Sequence, residues 1–142
     1  MKSVAQILAR KGSKVISVSP ESHVLDALKI MAEKNIGSVI VLENGRYTGL
    51  MTERDYARKV ILKGKTSADT RVGDIMSTDL PHITPAESLD ECMRLMSKWN
   101  IRYLPVFEEG ELCGIISIND VVKETIVDQQ HTIQQLHNYI SS

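Results

Sequence analysis

Apolar residues along the chain switch between a helical rhythm and a strand rhythm, and the order of the switches occurs twice. Val4, Ile7 and Leu8 fall on one side of a short predicted helix over residues 3–11, which Gly12-Ser13 breaks. Val15, Ile16 and Val18 read as a strand that closes at Ser19-Pro20. From Ser22 the spacing becomes helical, with Val24, Ala27, Leu28 and Met31 on one stripe and Asp26, Lys29, Glu33 and Lys34 facing water. Asn35-Ile36-Gly37 ends that helix. The β-branched run from Ser38 to Leu42 predicts a strand buried on both faces, and Asn44-Gly45 a two-residue hairpin turn. A return strand over Tyr47–Met51 and a helix from Thr52 to about Leu62 complete the unit.

The succession then restarts. An ungapped offset of 65 positions superposes residues 20–61 on 85–126. It matches Pro20 with Pro85, Met31 with Met96, Asn35-Ile36 with Asn100-Ile101 and Val41 with Val106. Glu43, Gly45, Gly49, Asp55 and Ile61 recur as Glu108, Gly110, Gly114, Asp120 and Ile126. The chain is therefore predicted to be two copies of one β-α-β-β-α unit, an α+β fold of tandem repeats packed pseudo-symmetrically. One copy alone would leave an apolar sheet face uncovered, so the two are expected to share a single module over residues 1–142. The first repeat is assigned to residues 13–62, a polar linker to 63–76, the second repeat to 77–127 and a helical tail to 128–142. Val72-Gly73-Asp74-Ile75-Met76 reads as the equivalent of the amino-terminal segment, leading into the second copy. In the tail, Ile133, Leu136 and Ile140 add an apolar surface that neither repeat requires, available to the pair or to a second subunit.

Charge and cysteine content narrow the function classes. Seventeen basic and eighteen acidic residues give a formal net charge of −1, which argues against a wide basic surface for duplex nucleic acid. Cys92 and Cys113 stand alone, without a nearby thiol at metal or redox spacing, and read as free thiols of a reducing compartment. The apolar part of the amino terminus is too short for a signal peptide, and no run approaches the roughly 20 apolar residues of a membrane span. A soluble cytoplasmic protein is the expectation, with no nucleic-acid or membrane partner.

Candidate chemistry concentrates in one repeated stretch. Gly49-Leu50-Met51-Thr52-Glu53-Arg54-Asp55 returns as Gly114-Ile115-Ile116-Ser117-Ile118-Asn119-Asp120. Thr52-x-x-Asp55 and Ser117-x-x-Asp120 have the form of helix capping boxes, and for a single copy capping would suffice. Each hydroxyl, however, sits where a strand turns into a helix, and helix starts suit phosphate. A carboxylate one turn further on can accept hydrogen bonds from a vicinal diol such as a ribose. Together the pair suits a nucleotide.

These residues, with Ser19-Pro20, Thr84-Pro85, the helices ending at Met31 and Met96, and Ile101-Arg102-Tyr103-Leu104-Pro105-Val106, make the chain resemble a tandem pair of cystathionine-β-synthase (CBS) domains, or Bateman module. The resemblance covers about residues 13–127. Residues 52–59, with Ile75-Met76, further resemble the stand-alone bacterial and organellar members. The resemblance implies a regulatory sensor, not an enzyme, that binds AMP or NAD, with ADP, ATP or S-adenosylmethionine as further candidates, in two clefts between the copies. It implies that Ser117 and Asp120 act with Ser13, Val15, Ile36, Gly37 and Ser38, and Thr52 and Asp55 with Thr78, Leu80, Ile101, Arg102 and Tyr103. It also implies a homodimer and a separate effector protein that the sequence does not name. Because Arg54 and Arg58 follow Thr52, and Arg102 is assigned to the same cleft, the Thr52/Asp55 cleft is preferred for the more phosphorylated ligand. Solvated surface is the plainer role for Arg54 and Arg58, four apart on a helix. Pro105-Val106 against Ile40-Val41 predicts a small backbone difference rather than lost binding.

Other candidates fall away. Gly64-Lys65-Thr66 imitates a phosphate-binding loop but has Lys59 where the first glycine belongs. His23, His82, His131 and His137 are scattered, against a zinc site. Neither copy supplies a nucleophile beside a base and an orienting group. A structural dimerisation module with vestigial clefts, and less so an enzyme acting on a nucleotide, remain the alternatives.

Overall fold

The computed structural model of the chain describes residues 2–141. In order its elements are α1 (Val4–Lys11), β1 (Ser17–Val18), α2 (Val24–Lys34), β2 (Ser38–Glu43), β3 (Arg46–Thr52), α3 (Glu53–Lys59), α4 (Leu89–Trp99), β4 (Tyr103–Glu108), β5 (Glu111–Ser117) and α5 (Ile118–Ser141). They form two compact units: residues 15–80 make one, and residues 2–14 join residues 81–141 in the other.

In the unit of residues 15–80, β1 pairs parallel with β2 and β2 antiparallel with β3. Val24, Ala27 and Met31 of α2 are buried with Val39, Val41 and Met51 of the sheet. The helical stripe and the β-branched run thus meet in one core. Asn35 ends α2 in the left-handed region at φ 54°, which an asparagine tolerates, and Ile36 N–H closes the end on the Met31 carbonyl at 3.0 Å. Asn44 and Gly45, with φ 53° and 77°, make the two-residue turn that fits the twist of the hairpin.

The other unit repeats this register. Ser38 opposite Thr52 becomes Tyr103 opposite Ser117, and the irregularity after Val41 recurs after Val106. One difference has a clear cause. Ile40 N–H donates to the Ile16 carbonyl at 3.0 Å, but its counterpart Pro105 has no N–H to give. The equivalent of β1 accordingly shrinks to a single parallel bridge, Ile83 with Val106. This is the small backbone difference expected of Pro105-Val106.

The units depart from the repeat boundaries because the segment preceding each copy packs with the other copy. Residues 63–76 are not a free linker: Thr70, Val72 and Ile75 are buried in the first unit. The Thr70 and Ser67 carbonyls accept from Val24 and Leu25 N–H at 2.8 and 3.0 Å, which satisfies the start of α2, where His23 provides no side-chain cap. Residues 77–80, read as the start of the second repeat, also belong here. In the second unit α1 takes the corresponding place. Val4 N–H donates to the Glu87 carbonyl as Val72 N–H does to that of Ser22, and Ala5 to Pro85 as Gly73 to Pro20, all at 2.8–2.9 Å. The equivalence of residues 72–76 with the amino-terminal segment is thus visible bond by bond. Val4 and Ile7 complete the core of Cys92, Met96, Leu104, Val106 and Ile116, and Arg10 anchors α1 through a two-point contact with the buried Glu124 of α5. Helix α5 runs unbroken from Ile118 to Ser141, so residues 128–141 continue it rather than form a separate element.

The incoming segments also explain why Gly49 and Gly114 recur. Neither has a positive φ. A Cβ on Gly49 would lie 2.8 Å from the Ser77 carbonyl oxygen and 3.0 Å from Met76 Sδ, and one on Gly114 would lie 2.8 Å from Leu8 Cδ2. Backbone cannot step aside, whereas a leucine methyl can rotate. Gly49→Ala should therefore cost about 1–3 kcal/mol, the range of overpacked sites, and Gly114→Ala less. Urea titration of the two variants checks this, and an equal or larger loss for Gly114→Ala would contradict the packing described.

Candidate functional site

In the unit of residues 15–80, β3 ends at Thr52 and α3 starts at Glu53. The capping box is present: Thr52 Oγ1 accepts from Asp55 N–H at 3.1 Å, and Asp55 Oδ2 accepts from Thr52 N–H at 3.0 Å. The Thr52 hydroxyl also donates to Oδ2 at 3.1 Å. The other carboxylate oxygen, Oδ1, accepts from Ser77 Oγ at 2.8 Å and forms an ion pair with Lys59 Nζ at 3.0 Å. Asp55 is thus engaged at both oxygens, with 7% of its side chain exposed. Ser38 pairs with Thr52, and Glu53 N–H donates to the Gly37 carbonyl at 3.1 Å. The structure therefore sets Gly37 and Ser38 beside the hydroxyl and aspartate of their own copy, with Ile36 packed on the adjoining core. Ser77 bonds both ways with Leu50 of β3 and leads to the exposed Thr78 and half-buried Leu80. Val15 is half-buried in this unit, and Arg54 and Arg58 of α3 are exposed.

The second unit holds Ser13, Ile101, Arg102, Tyr103, Ser117 and Asp120. Ser117 N–H donates to Asp120 Oδ2 at 2.8 Å, and Asp120 N–H to Ser117 Oγ at 3.1 Å. Lys11, from the end of α1, donates to the same Oδ2 at 2.8 Å and to the Ile115 carbonyl at 3.1 Å. Among the described residues nothing donates to Asp120 Oδ1, and 19% of this side chain is exposed. Burial alone would push the Asp120 carboxyl up. The hydrogen bonds from Lys11 and Ser117 and the Lys11 charge outweigh that and hold it below the ordinary carboxylate range. Tyr103 pairs with Ser117, and Ile118 N–H donates to the Arg102 carbonyl at 2.8 Å. Arg102, read from the sequence with Thr52 and Asp55, thus has its backbone at the Ser117 corner, with its side chain exposed. Ser13 is exposed.

Three contributors escaped the sequence reading. Lys59 stands four residues after Asp55, and that helical spacing could have signalled it. Ser77 and Lys11 come from remote segments that no local pattern ties to either aspartate. The two sites are alike in their boxes and unlike in their freedom. The Asp55 carboxylate is enclosed by four donors, while that of Asp120 is ionised and keeps one oxygen open. Thiol chemistry is not what the cysteines offer: burial, with Glu87 and Glu91 nearby, pushes the Cys92 thiol up to about 12, and burial raises that of Cys113 as well. Among the described residues no three His, Cys, Asp or Glu side chains gather as metal ligands. No helix of the described residues is long and apolar enough to cross a membrane.

The CBS domain family model matches the chain twice, at residues 4–62 and 72–126. The mitochondrial CBS domain-containing protein CBSX3 of Arabidopsis thaliana is 37% identical over 125 residues, which are 84% of this chain and 61% of that protein. The chain thus spans less than two thirds of that relative. CBS domain-containing protein YhcV of Bacillus subtilis is 33% identical over 109 residues, 77% of each. Among solved structures, a CBS-domain protein of Burkholderia ambifaria MC40-6 assigned to signal transduction aligns with a TM-score of 0.87 at 46% identity, covering 90% of this chain and 96% of that one. A CBS-domain protein of Agrobacterium tumefaciens aligns at 0.83 with 34% identity, covering 87% and 99%. The double match, the bond-by-bond repetition of the two units and these likenesses lead to one conclusion: the chain belongs to the CBS domain family and carries two of its domains in tandem.

Proposed function

We propose that the chain is a regulatory module that binds an adenine nucleotide, AMP or NAD first, and signals through a ligand-dependent change of conformation or partner affinity rather than by catalysis. The observation that carries the reading is Asp120: an ionised carboxylate with an open oxygen at a strand-to-helix corner. A ribose presents two adjacent hydroxyl donors, and a charged acceptor holds such donors about twice as strongly as a neutral one. The Arg102 guanidinium is on the same unit, exposed, and suits phosphate. At Asp55 a diol must displace Ser77 or Lys59, so that site is proposed to fill second. The exposed Arg54 and Arg58 remain its phosphate-binding candidates.

The assignment of the Burkholderia relative to signal transduction supports a regulatory role. A CBS-CP12 protein from bloom-forming cyanobacteria, 29% identical with a TM-score of 0.75, is hexameric, which supports self-association, here proposed as a homodimer. The enclosure of Asp55 favours a second reading, a structural module whose sites are vestigial. Ligand binding separates the two.

In a thermal-shift panel of AMP, ADP, ATP, NAD and S-adenosylmethionine, a ligand at about 100 times its dissociation constant should stabilise the protein by roughly 2.7 kcal/mol. Asp120→Ala should weaken that ligand about 10–100-fold in calorimetry, the worth of a charged hydrogen bond. No shift with any ligand at millimolar concentration would support the vestigial reading. Proton linkage gives a second test. Because its carboxyl is held low, Asp120 should keep the affinity for NAD, whose pyrophosphate does not titrate in this window, flat from pH 8 down to about 5 and lose it only on entering the acid range below the ordinary aspartate value. Lys11→Met removes the donor and charge that hold it low, so the fall should begin at higher pH. An unchanged profile would exclude Asp120 as the titrating ligand contact.

A further inference from the structure

Helix α5 packs on its unit through Val121 and Glu124, both fully buried. From Gln129 to Ile140 every residue is exposed. An uncovered helical stretch of about a dozen residues is marginal in water without a partner surface. Its apolar residues are not scattered. Val122, Ile126, Ile133, Leu136 and Ile140, with Gln129 in the remaining place, follow alternating steps of four and three along the helix. That is a heptad seam, narrower than the stripe a helix turns to its own core. Ile133, Leu136 and Ile140 are 65%, 58% and 82% exposed, so the described residues leave the seam uncovered.

We propose that this seam joins α5 of one chain to α5 of a second copy as a parallel two-stranded coiled coil. It deepens the self-association reading above and is independent of nucleotide binding. Three features select a second copy. Ile126, Ile133 and Ile140 occupy the first apolar position of successive heptads, and Val122, Gln129 and Leu136 the second; isoleucine at the first position, with leucine at the second as at Leu136, favours two parallel strands. Residues 129–142 contain no Asp, Glu, Lys or Arg, so two identical helices meet without repulsion between like charges. Gln129 carries both donor and acceptor, so it can pair with its own copy, as a lysine or aspartate in that place could not. The same lack of basic residues removes the attraction an anionic lipid surface would need. At 1.5 Å per residue the seam from Val122 to Ile140 runs roughly 27 Å.

The experiment compares the full chain with Leu136→Asp by sedimentation equilibrium, and Leu136→Cys with Asn138→Cys under mild oxidation. The parent, with Cys92 buried and Cys113 half-buried, sets the cross-linking baseline. Leu136 faces its own copy across a parallel seam, while Asn138 points away. Expected are a self-associated parent, a dissociation constant at least tenfold weaker for Leu136→Asp, and disulfide-linked dimers of Leu136→Cys but not of Asn138→Cys. A parent with the mass of one 15.9 kDa chain would overturn both self-association and the seam. A self-associated parent unaffected by Leu136→Asp would overturn the seam alone. So would cross-linking of neither cysteine variant, of both equally, or a mass that reveals a different protein bound to α5.

Discussion

The structure depends on a close approach of chain to sheet. Each unit is closed by a segment that precedes the other repeat in sequence, and that segment lies against a glycine: Met76 and Ser77 over Gly49, Leu8 over Gly114. A Cβ at Gly49 would meet the Ser77 backbone, which cannot step aside, and one at Gly114 would force the Leu8 methyl to move. Once seated, Val72 and Ile75, or Val4 and Ile7, close their cores, and the same segments deliver the groups that meet the aspartates. Ser77 arrives beside Asp55 and Lys11 beside Asp120. Fold closure and site chemistry therefore share a cause.

That shared cause also makes the sites unequal. After Met76 the chain makes a single antiparallel bridge to β3, where Ser77 bonds with Leu50 and turns its hydroxyl to Asp55. In the other unit the incoming segment is the helix α1, which offers the long side chain of Lys11, and among the described residues no donor reaches the second Asp120 oxygen. Sequence-identical aspartates thus acquire different environments from segments that differ in secondary structure. The arginines of α3 favour the first site for the more phosphorylated ligand, while the carboxylate geometry gives the second site the freer acceptor.

Much of the fold was legible because it rests on local patterns. The 3.6-residue stripe of α2, the β-branched run of β2 and the Asn44-Gly45 turn each specify their own backbone, and the 65-residue repeat carried them to the second copy. The hydroxyl and aspartate boxes were legible for the same reason. What a local pattern could not disclose was the exchange of the preceding segments. Residues 63–76 look like a polar linker because Lys63, Lys65 and Asp69 face water, while the burial of Thr70, Val72 and Ile75 depends on a distant partner. Lys11 and Ser77 were missed for that reason. Pro105 was readable, since a missing N–H has one consequence wherever a strand should pair.

The central claim is that Asp120 receives a ribose diol, and the carboxylate can report on this itself. With carbon-13 in the aspartate carboxyl groups, titration with AMP should move the Asp120 resonance saturably, and 2′,3′-dideoxy-AMP, which has the same base and phosphate but no diol, should leave it in place. An Asp120 signal that ignores AMP, or follows both compounds equally, would contradict the account.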